Sequence, residues 1–114
     1  MKPDLLFHVI SKRKWRELNS EGYFRIKADE IIQPVECVGS DDLNNYLNEH
    51  YKGRKNLFVL VIVRSRIVNR VESVDKDGFQ FFVVEDGINL DAILDKIRID
   101  CNEDGLFDLA VEHK

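Results

Sequence analysis

The stretch "NLFVLVIV" (56–63) constrains the fold of this chain more than any other part of its sequence. It is a continuous apolar run rich in Val and Ile. A short run of this composition is typical of a strand that is buried on both faces. The apolar residues 57–63 are also far too few to span a bilayer as a helix. The sequence therefore predicts an interior strand at this position.

Two helices are predicted before that strand. Ser11 is a good N-cap for a helix over 12–21, and Gly22 fits as the residue that closes it. The second helix is predicted to begin at Ser40, which can cap it, and Asp41 and Asp42 place carboxylates at its positive end. One apolar face follows at helical spacing. Its members are Leu43, Tyr46, Leu47, His50 and Tyr51.

Short strands account for most of the remaining chain. "DLLFHVI" (4–10) is predicted as the first strand, and "YFRI" (23–26) as a short strand or an extended edge. The segment 28–38 is expected to be irregular around Pro34 and to end in a short strand, "VECV". A hairpin is predicted from "RVESV" (70–74) and "FQFFVV" (79–84) around "DKDG". "AILDKIRI" (92–99) fits strand or helix, with strand favoured, and "LFDLAVE" (106–112) is predicted as a final strand. Helices followed by strands in 114 residues predict one α+β domain.

The charge is unevenly distributed along the chain. The net charge of −4 argues against general binding of nucleic acid, which needs a basic surface. Residues 1–70 hold 13 Lys and Arg against 9 Asp and Glu, whereas residues 71–114 hold 4 against 12. Solvated surface charge is the favoured interpretation, and a local basic face for a small anionic ligand is the alternative. RNA binding through "KRKWR" (12–16) is a weaker hypothesis that the net charge opposes.

Cysteine content and the first residues bear on location. Cys37 and Cys101 lie in no metal-ligand or C-x-x-C pattern, so free thiols in a reducing cytoplasm are expected. A Cys37–Cys101 disulfide is the alternative that the sequence leaves open. No signal-peptide pattern precedes the first strand, which again predicts a cytoplasmic protein without a membrane partner. No glycine-rich phosphate loop of known type occurs.

Few residues stand out as candidates for chemistry. His8 places a polar ring in a strand that should be central, so it must find a hydrogen-bond partner or face a cleft, and the buried, paired state is favoured. His50 is expected to pack at a helix end, and His113 lies near the end of the chain. Glu72, between two valines, could orient a ribose hydroxyl or stabilise a cationic transition state. A solvent-facing position, or an ion pair, is favoured for it in isolation. The pairing candidates are Arg64, Arg66 and Arg70.

Taken in order, several segments resemble the small bacterial family known as domain of unknown function 952. The matching segments are "LFHVIS", "KWRELNSEGYFR", "NNYLNEHYKGRKNLFVLVIV", "RVES", "GFQFFVVEDGINLDAI" and "EDGLF". Each is weak alone, and their order and spacing carry the resemblance, which runs nearly end to end. His8 stands at the family's first-strand histidine, and Glu72 stands at its glutamate.

The resemblance implies a fold like that of ADP-ribosyltransferases and RNA 2′-phosphotransferases. That fold is an α+β domain with two N-terminal helices packed on a bent, split, mostly antiparallel sheet around an NAD cleft. By analogy His8 would touch the ribose or diphosphate of NAD, Glu72 would be the acidic catalytic group, and Tyr23 could stack on a ring. His8 and Glu72 would then converge within a few ångströms.

The chain also departs from the family pattern. Glu36 stands where the second family histidine is expected, and Phe81 replaces the third, which removes both a donor and an acceptor. A cleft lined by Tyr23, Phe79 and Phe81 would suit an aromatic ligand or a peptide better than a diphosphate. We therefore expect a non-catalytic domain that binds a small molecule or a protein, with His8, Tyr23, Glu36 and Phe81 as ligand-binding candidates and no metal. The alternative is an enzyme that uses NAD for ADP-ribosyl transfer, or a 2′-phosphotransferase, with His8 and Glu72 in the cleft.

Overall fold

A computed structural model describes residues 4–20, 22–29 and 31–109. Within them lie two α-helices, α1 (Lys12–Leu18) and α2 (Ser40–His50). The strands are β1 (Leu5–Ser11), β2 (Asn19–Ser20), β3 (Tyr23–Phe24), β4 (Ile26–Ala28), β5 (Ile31–Gln33), β6 (Val35–Val38), β7 (Leu57–Val63), β8 (Val71–Lys76), β9 (Phe79–Val84), β10 (Ile88–Asn89) and β11 (Ile93–Ile99). Turns of 3₁₀-helix cover Arg64–Arg66 and Leu90–Ala92. The protein is thus α+β, as the sequence predicted.

The main sheet has six strands in the order β11-β7-β1-β6-β9-β8, and each neighbouring pair is antiparallel. The apolar run forms β7, which pairs with β1 on one side and β11 on the other. Every residue of β7 except the half-buried Phe58 is buried. The prediction of an interior strand is confirmed.

Side chains alternate between two faces of this sheet, and each face is covered by a different layer. On one side, which we call the α2 face, Phe7 and Val9 of β1 pack with Leu43 and Leu47 of α2. On the other side, the Phe24 face, Leu6 and Ile10 pack against Phe24 of β3 and other buried apolar residues. Fully burying a leucine side chain stabilises a fold by about 1.5–3 kcal/mol. Both layers are therefore needed to cover β1 and β7.

The first helix is shorter than the sequence predicted. The predicted cap is confirmed, since the Ser11 hydroxyl accepts a hydrogen bond of 3.1 Å from the backbone N–H of Lys14. The helix then ends at Leu18, because the next two residues form β2 and pair with β3. Gly22, with φ of +73°, lies in the turn before β3 and does not close the helix. Local pairing of strands has replaced the last turn of helix.

The second helix begins where the sequence predicted, but a different residue occupies the cap position. Gly39 is the N-cap with extended φ and ψ, and Ser40 is the first helical residue. The prediction that Ser40 caps α2 was wrong. The predicted apolar face is confirmed at its centre, where Leu43 and Leu47 are buried.

Three of the strand predictions after α2 can be compared with the structure. The β8–β9 hairpin is confirmed, with Asp77 and Gly78 at positive φ in the two-residue turn that hairpins favour. The predicted strand over 92–99 is confirmed as β11. The predicted strand over 106–112 was wrong for residues 106–109, and residues 110–112 lie outside the described residues, as does His113.

The segment that follows β11 is instead held by helix α2. The side-chain amide of Asn48 accepts a bond of 2.6 Å from the backbone N–H of Phe107 and donates one of 3.0 Å to its carbonyl. Asn44 makes the same pair of bonds with Leu109. These amides take the place of a neighbouring strand, so the segment is ordered without joining a sheet.

Segment 28–33, expected to be irregular, contributes to a second hairpin. β4 pairs with β5, and Pro34 separates β5 from the "VECV" strand, which is confirmed as β6. In the described ranges, no helix is long and apolar enough to cross a membrane.

Candidate functional site

His8 lies near the middle of the sheet, at the point where two strands separate. β1 and β6 are paired only at Phe7 and Val38, next to His8. The His8 side chain is on the Phe24 face, 9% exposed, with its ring centroid 5.4 Å from that of Phe24. Its Nδ1 lies 2.7 Å from the carbonyl oxygen of Glu36. A carbonyl can only accept, so Nδ1 carries the hydrogen and donates it.

Burial also sets the charge of His8. Desolvation lowers the pKa of His8, and this effect outweighs the Glu36 carbonyl bond and the Glu36 carboxylate, both of which raise it. The neutral ring is therefore favoured near pH 7, with its hydrogen on Nδ1. The favoured interpretation of the sequence, a buried and paired histidine, is confirmed.

Glu36 makes its hydrogen bond to His8 through its backbone. Its neighbours Val35 and Cys37 pack on the Phe24 face, so the Glu36 side chain projects from the α2 face. There the carboxylate lies 3.3 Å from the ammonium group of Lys76, and both side chains are about half exposed. The Lys76 ammonium lies 5.1 Å above the ring of Phe81.

Glu72 does not meet His8. It lies on the edge strand β8 directly opposite Val83, which packs on the α2 face. The Glu72 side chain is therefore on the α2 face as well, whereas that of His8 is on the Phe24 face. β8 is also three strands away from β1, or roughly 14 Å at the usual spacing between strands. The Glu72 carboxylate instead pairs with Arg70 at 2.6 Å and is 43% exposed. The predicted convergence is absent, whereas the ion pair with Arg70 is confirmed.

The aromatic candidates do not share a cleft either. Phe81 is buried on the α2 face, and its ring meets that of Tyr46 edge-on at 5.7 Å. Phe79 packs in the same group of rings. Tyr23 belongs to β3, on the other side of the sheet, where the guanidinium of Arg25 lies 4.4 Å above its ring. The expected cleft of Tyr23, Phe79 and Phe81 was wrong, because the sheet separates them.

The rings on the α2 face form a packed aromatic group. His50 lies 4.9 Å from Tyr46 between ring centroids, which confirms the predicted packing role of this helix-end histidine. Burial raises the pKa of Tyr46, and Tyr51 adds to this effect.

The two cysteines lie on opposite faces of the sheet. Cys37 is buried on the Phe24 face, and Cys101 packs against the α2 face. Both are free thiols, as expected. Burial raises the pKa of Cys37, so its thiol stays protonated and unreactive at neutral pH. Among the residues of the described ranges, no group of three or more His, Cys, Asp and Glu could hold a metal ion.

Sequence reasoning missed a concavity at the end of β1. It has a volume of about 650 Å³. It is lined by Ser11, Lys12, Arg13, Arg16, Arg54, Lys55 and Asn56. "KRKWR" marked one wall as basic, but only the antiparallel pairing of β1 with β7 brings residues 54–56 beside it. We call this the basic concavity.

Fold and site together define a small α+β protein with a buried sheet histidine and a cationic surface concavity. No protein-family model matches the chain, and no curated protein is significantly similar to it.

Solved structures of protein CC0527 from Caulobacter crescentus are similar to it. A crystal structure and that of a double mutant superpose with a TM-score of 0.74 at 15% identity, covering 90% of this chain and 91% of the other. A solution NMR structure gives a TM-score of 0.73 at 15% identity, covering 90% of each chain. At this identity the similarity establishes the fold alone.

Proposed function

We propose that this chain is a non-catalytic binding domain built on an ADP-ribosyltransferase-like scaffold, and that it binds a ligand or a partner without chemical turnover. The observation that carries the proposal is the state of His8. Its ring is buried against Phe24, and its Nδ1 hydrogen is committed to the Glu36 carbonyl. Only Nε2 keeps a lone pair for general-base catalysis, and the ring that carries it is 9% exposed and packed against Phe24, which limits its access to a substrate.

The position of Glu72 supports the same proposal. Loss of nicotinamide from NAD builds positive charge on the ribose, and a carboxylate must lie close to stabilise that charge. Glu72 is on the opposite face from His8 and is neutralised by Arg70. Phe81 and Glu36, which replace two histidines of the family that the sequence resembles, supply no substitute on the Phe24 face.

The alternative, an enzyme that uses NAD, has one observation in its favour. β1 and β6 separate beside His8, and the ADP-ribosyl fold that the sequence resembles has a split sheet around its cleft. In this alternative, NAD would enter where the strands separate, and the free Nε2 of His8 would contact the ribose. Glu72 would then have to act from a rearranged sheet.

One pair of measurements separates the two functions. The protein is incubated with NAD, and free nicotinamide is quantified by chromatography; amide NMR shifts are followed in the same titration. We expect no nicotinamide above the protein-free control. Nicotinamide release that is lost in Glu72→Gln would overturn the proposal. NAD affinity that a folded His8→Ala variant loses, without nicotinamide release, would place the ligand beside His8 and keep the non-catalytic proposal.

A further inference from the structure

The basic concavity is built by two separate stretches of chain on a rigid sheet. Residues 11–16 supply one wall, where β1 runs into α1, and residues 54–56 supply the other, just before β7. The backbone N–H of Lys12 donates a 3.0 Å hydrogen bond to the carbonyl of Asn56, and Ser11 pairs with Leu57 in the sheet. The two walls are therefore fixed relative to each other without any ligand.

The concavity brings cationic side chains together without a carboxylate among its lining residues. Five of its seven lining residues are Lys or Arg, and none is Asp or Glu. In the described part of the chain, the side chains of Lys12, Arg16 and Lys55 have no acidic partner, and Arg54 lies over the Tyr51 ring at 5.6 Å.

This arrangement is unusual for a chain with more acidic than basic residues. The net charge is −4, and elsewhere cations such as Arg70, Lys76 and Arg98 lie against carboxylates. Like charges held together repel one another, and a bound anion would relieve that repulsion.

The backbone at Asn56, in the second wall, is also held in place. Asn56 has φ of +59°, its N–H donates to the Asp100 carboxylate at 2.7 Å, and its side-chain oxygen accepts from Arg98 at 2.7 Å. These bonds fix the backbone between the two groups of cations. The geometry around an entering anion is therefore set by the sheet and not by a mobile loop.

The cations and the size of the concavity specify a class of ligand. Guanidinium groups match phosphate oxygens with paired hydrogen bonds. The volume of about 650 Å³ lies within the range of small-molecule sites, roughly 300–1,000 Å³. Because cations line both walls, one phosphate group can pair with the cations of one wall while a second, linked phosphate pairs with those of the other. We propose that the basic concavity binds a small molecule carrying two or more linked phosphate groups.

Charge beyond the concavity favours a small ligand over nucleic acid. A polynucleotide follows an extended basic surface, and this chain has a net charge of −4. A second concavity, beside the β8–β9 turn, is lined by Asp42, Asp75 and Asp77 with only Lys76 among cations. The inference rests on the proposed binding function and names the ligand class and the site.

The test is a titration of the whole chain with inorganic tripolyphosphate at low salt, followed by calorimetry and amide NMR. Saturable binding is expected, with shifts at residues 11–16 and 54–56. The double variant Arg16→Gln, Lys55→Gln should weaken the affinity by about tenfold, because two exposed ion pairs with phosphate are lost.

A charge-matched control separates a local site from general attraction. Lys27→Gln combined with Arg66→Gln removes the same charge from exposed positions outside the concavity. This pair should bind tripolyphosphate as the parent does. Equal weakening in both pairs, or no saturation, would overturn the proposal.

Two further ligands test the class. Orthophosphate that binds as tightly as tripolyphosphate would overturn the requirement for linked phosphates. A single-stranded oligonucleotide that binds more tightly than tripolyphosphate would replace the small ligand with nucleic acid. The nicotinamide assay is independent of both. Absence of binding together with absence of turnover would therefore refute the ligand assignment and leave the non-catalytic proposal standing.

Discussion

Replacing His8 by leucine separates a packing histidine from a catalytic one. Leucine keeps an apolar side chain in the layer formed with Phe24, but it cannot donate to the Glu36 carbonyl at 2.7 Å. That partly buried carbonyl is then left without its partner. We expect His8→Leu to lower the free energy of unfolding by about 1–3 kcal/mol, the usual cost of such an unmet hydrogen bond.

The pH dependence of stability provides a second measure of the same site. The pKa of His8 is lowered in the folded chain from an ordinary value of 6.5. The unfolded chain therefore binds a proton that the native chain resists, and stability is lost as pH falls below about 6.5. The loss grows as the pH falls further, for as long as the native ring stays neutral.

Urea unfolding at several pH values between about 7.5 and 5.5 measures both effects. His8→Leu should be less stable than the parent at the upper pH, and its stability should change less as pH falls. His50→Leu removes an imidazole elsewhere and keeps His8, so it should retain the pH dependence of the parent. A His8→Leu variant with the stability and pH profile of the parent would refute the packing role.

Three other features make equally direct predictions. Asn48→Ala should lower the free energy of unfolding in urea by about 2–3 kcal/mol, since two hydrogen bonds to the Phe107 backbone are lost. Asn45→Ala, on the exposed side of α2, should leave it unchanged, and equal effects would contradict the role of Asn48 in holding this segment. Maleimide labelling of the native protein, read by mass spectrometry, should modify Cys101 and spare Cys37 until urea is added; rapid native labelling of Cys37 would mean that the Phe24 face opens. Gly87→Ala should lower the free energy of unfolding by at least about 1 kcal/mol, because φ is +92° and an added Cβ would lie 2.8 Å from the Phe24 carbonyl oxygen. A variant with an unchanged melting temperature would contradict this strain.

The parts of the fold that the sequence predicted are those decided by local pattern. The apolar run 57–63 must be buried on both faces, which an interior strand provides. The Asp77-Gly78 pair favours a hairpin turn independently of the rest of the fold. The prediction was wrong for residues 106–109 because "LFDLAVE" has a strand-like composition, yet the backbone of Phe107 and Leu109 is bonded by Asn48 and Asn44, about sixty residues earlier. No local pattern encodes a partner so distant.

In the candidate site, too, local pattern predicted some features and contacts between distant segments decided the others. That His8 would be buried and paired followed from a polar ring in an apolar strand, but the identity of its acceptor depended on where β6 leaves β1. The separation of His8 from Glu72 depends on the order of the strands and on the face of the sheet from which each side chain projects. Neither can be read from spacing along the chain. The basic concavity was half visible, since only the pairing of β1 with β7 adds its second wall.

The central position of β1 has a consequence for how the chain is made. β1 is the first strand in the sequence, yet all seven of its residues pair with β7, so that His8 lies opposite Leu60. During synthesis the backbone N–H and C=O groups on one edge of β1 stay unpaired until β7 has emerged, and such edges promote aggregation. Formation of the sheet must also close a loop of about fifty residues before its central pair gains any stability, which slows folding. Nascent chains that stop before β7 therefore expose a strand that is central in the finished sheet.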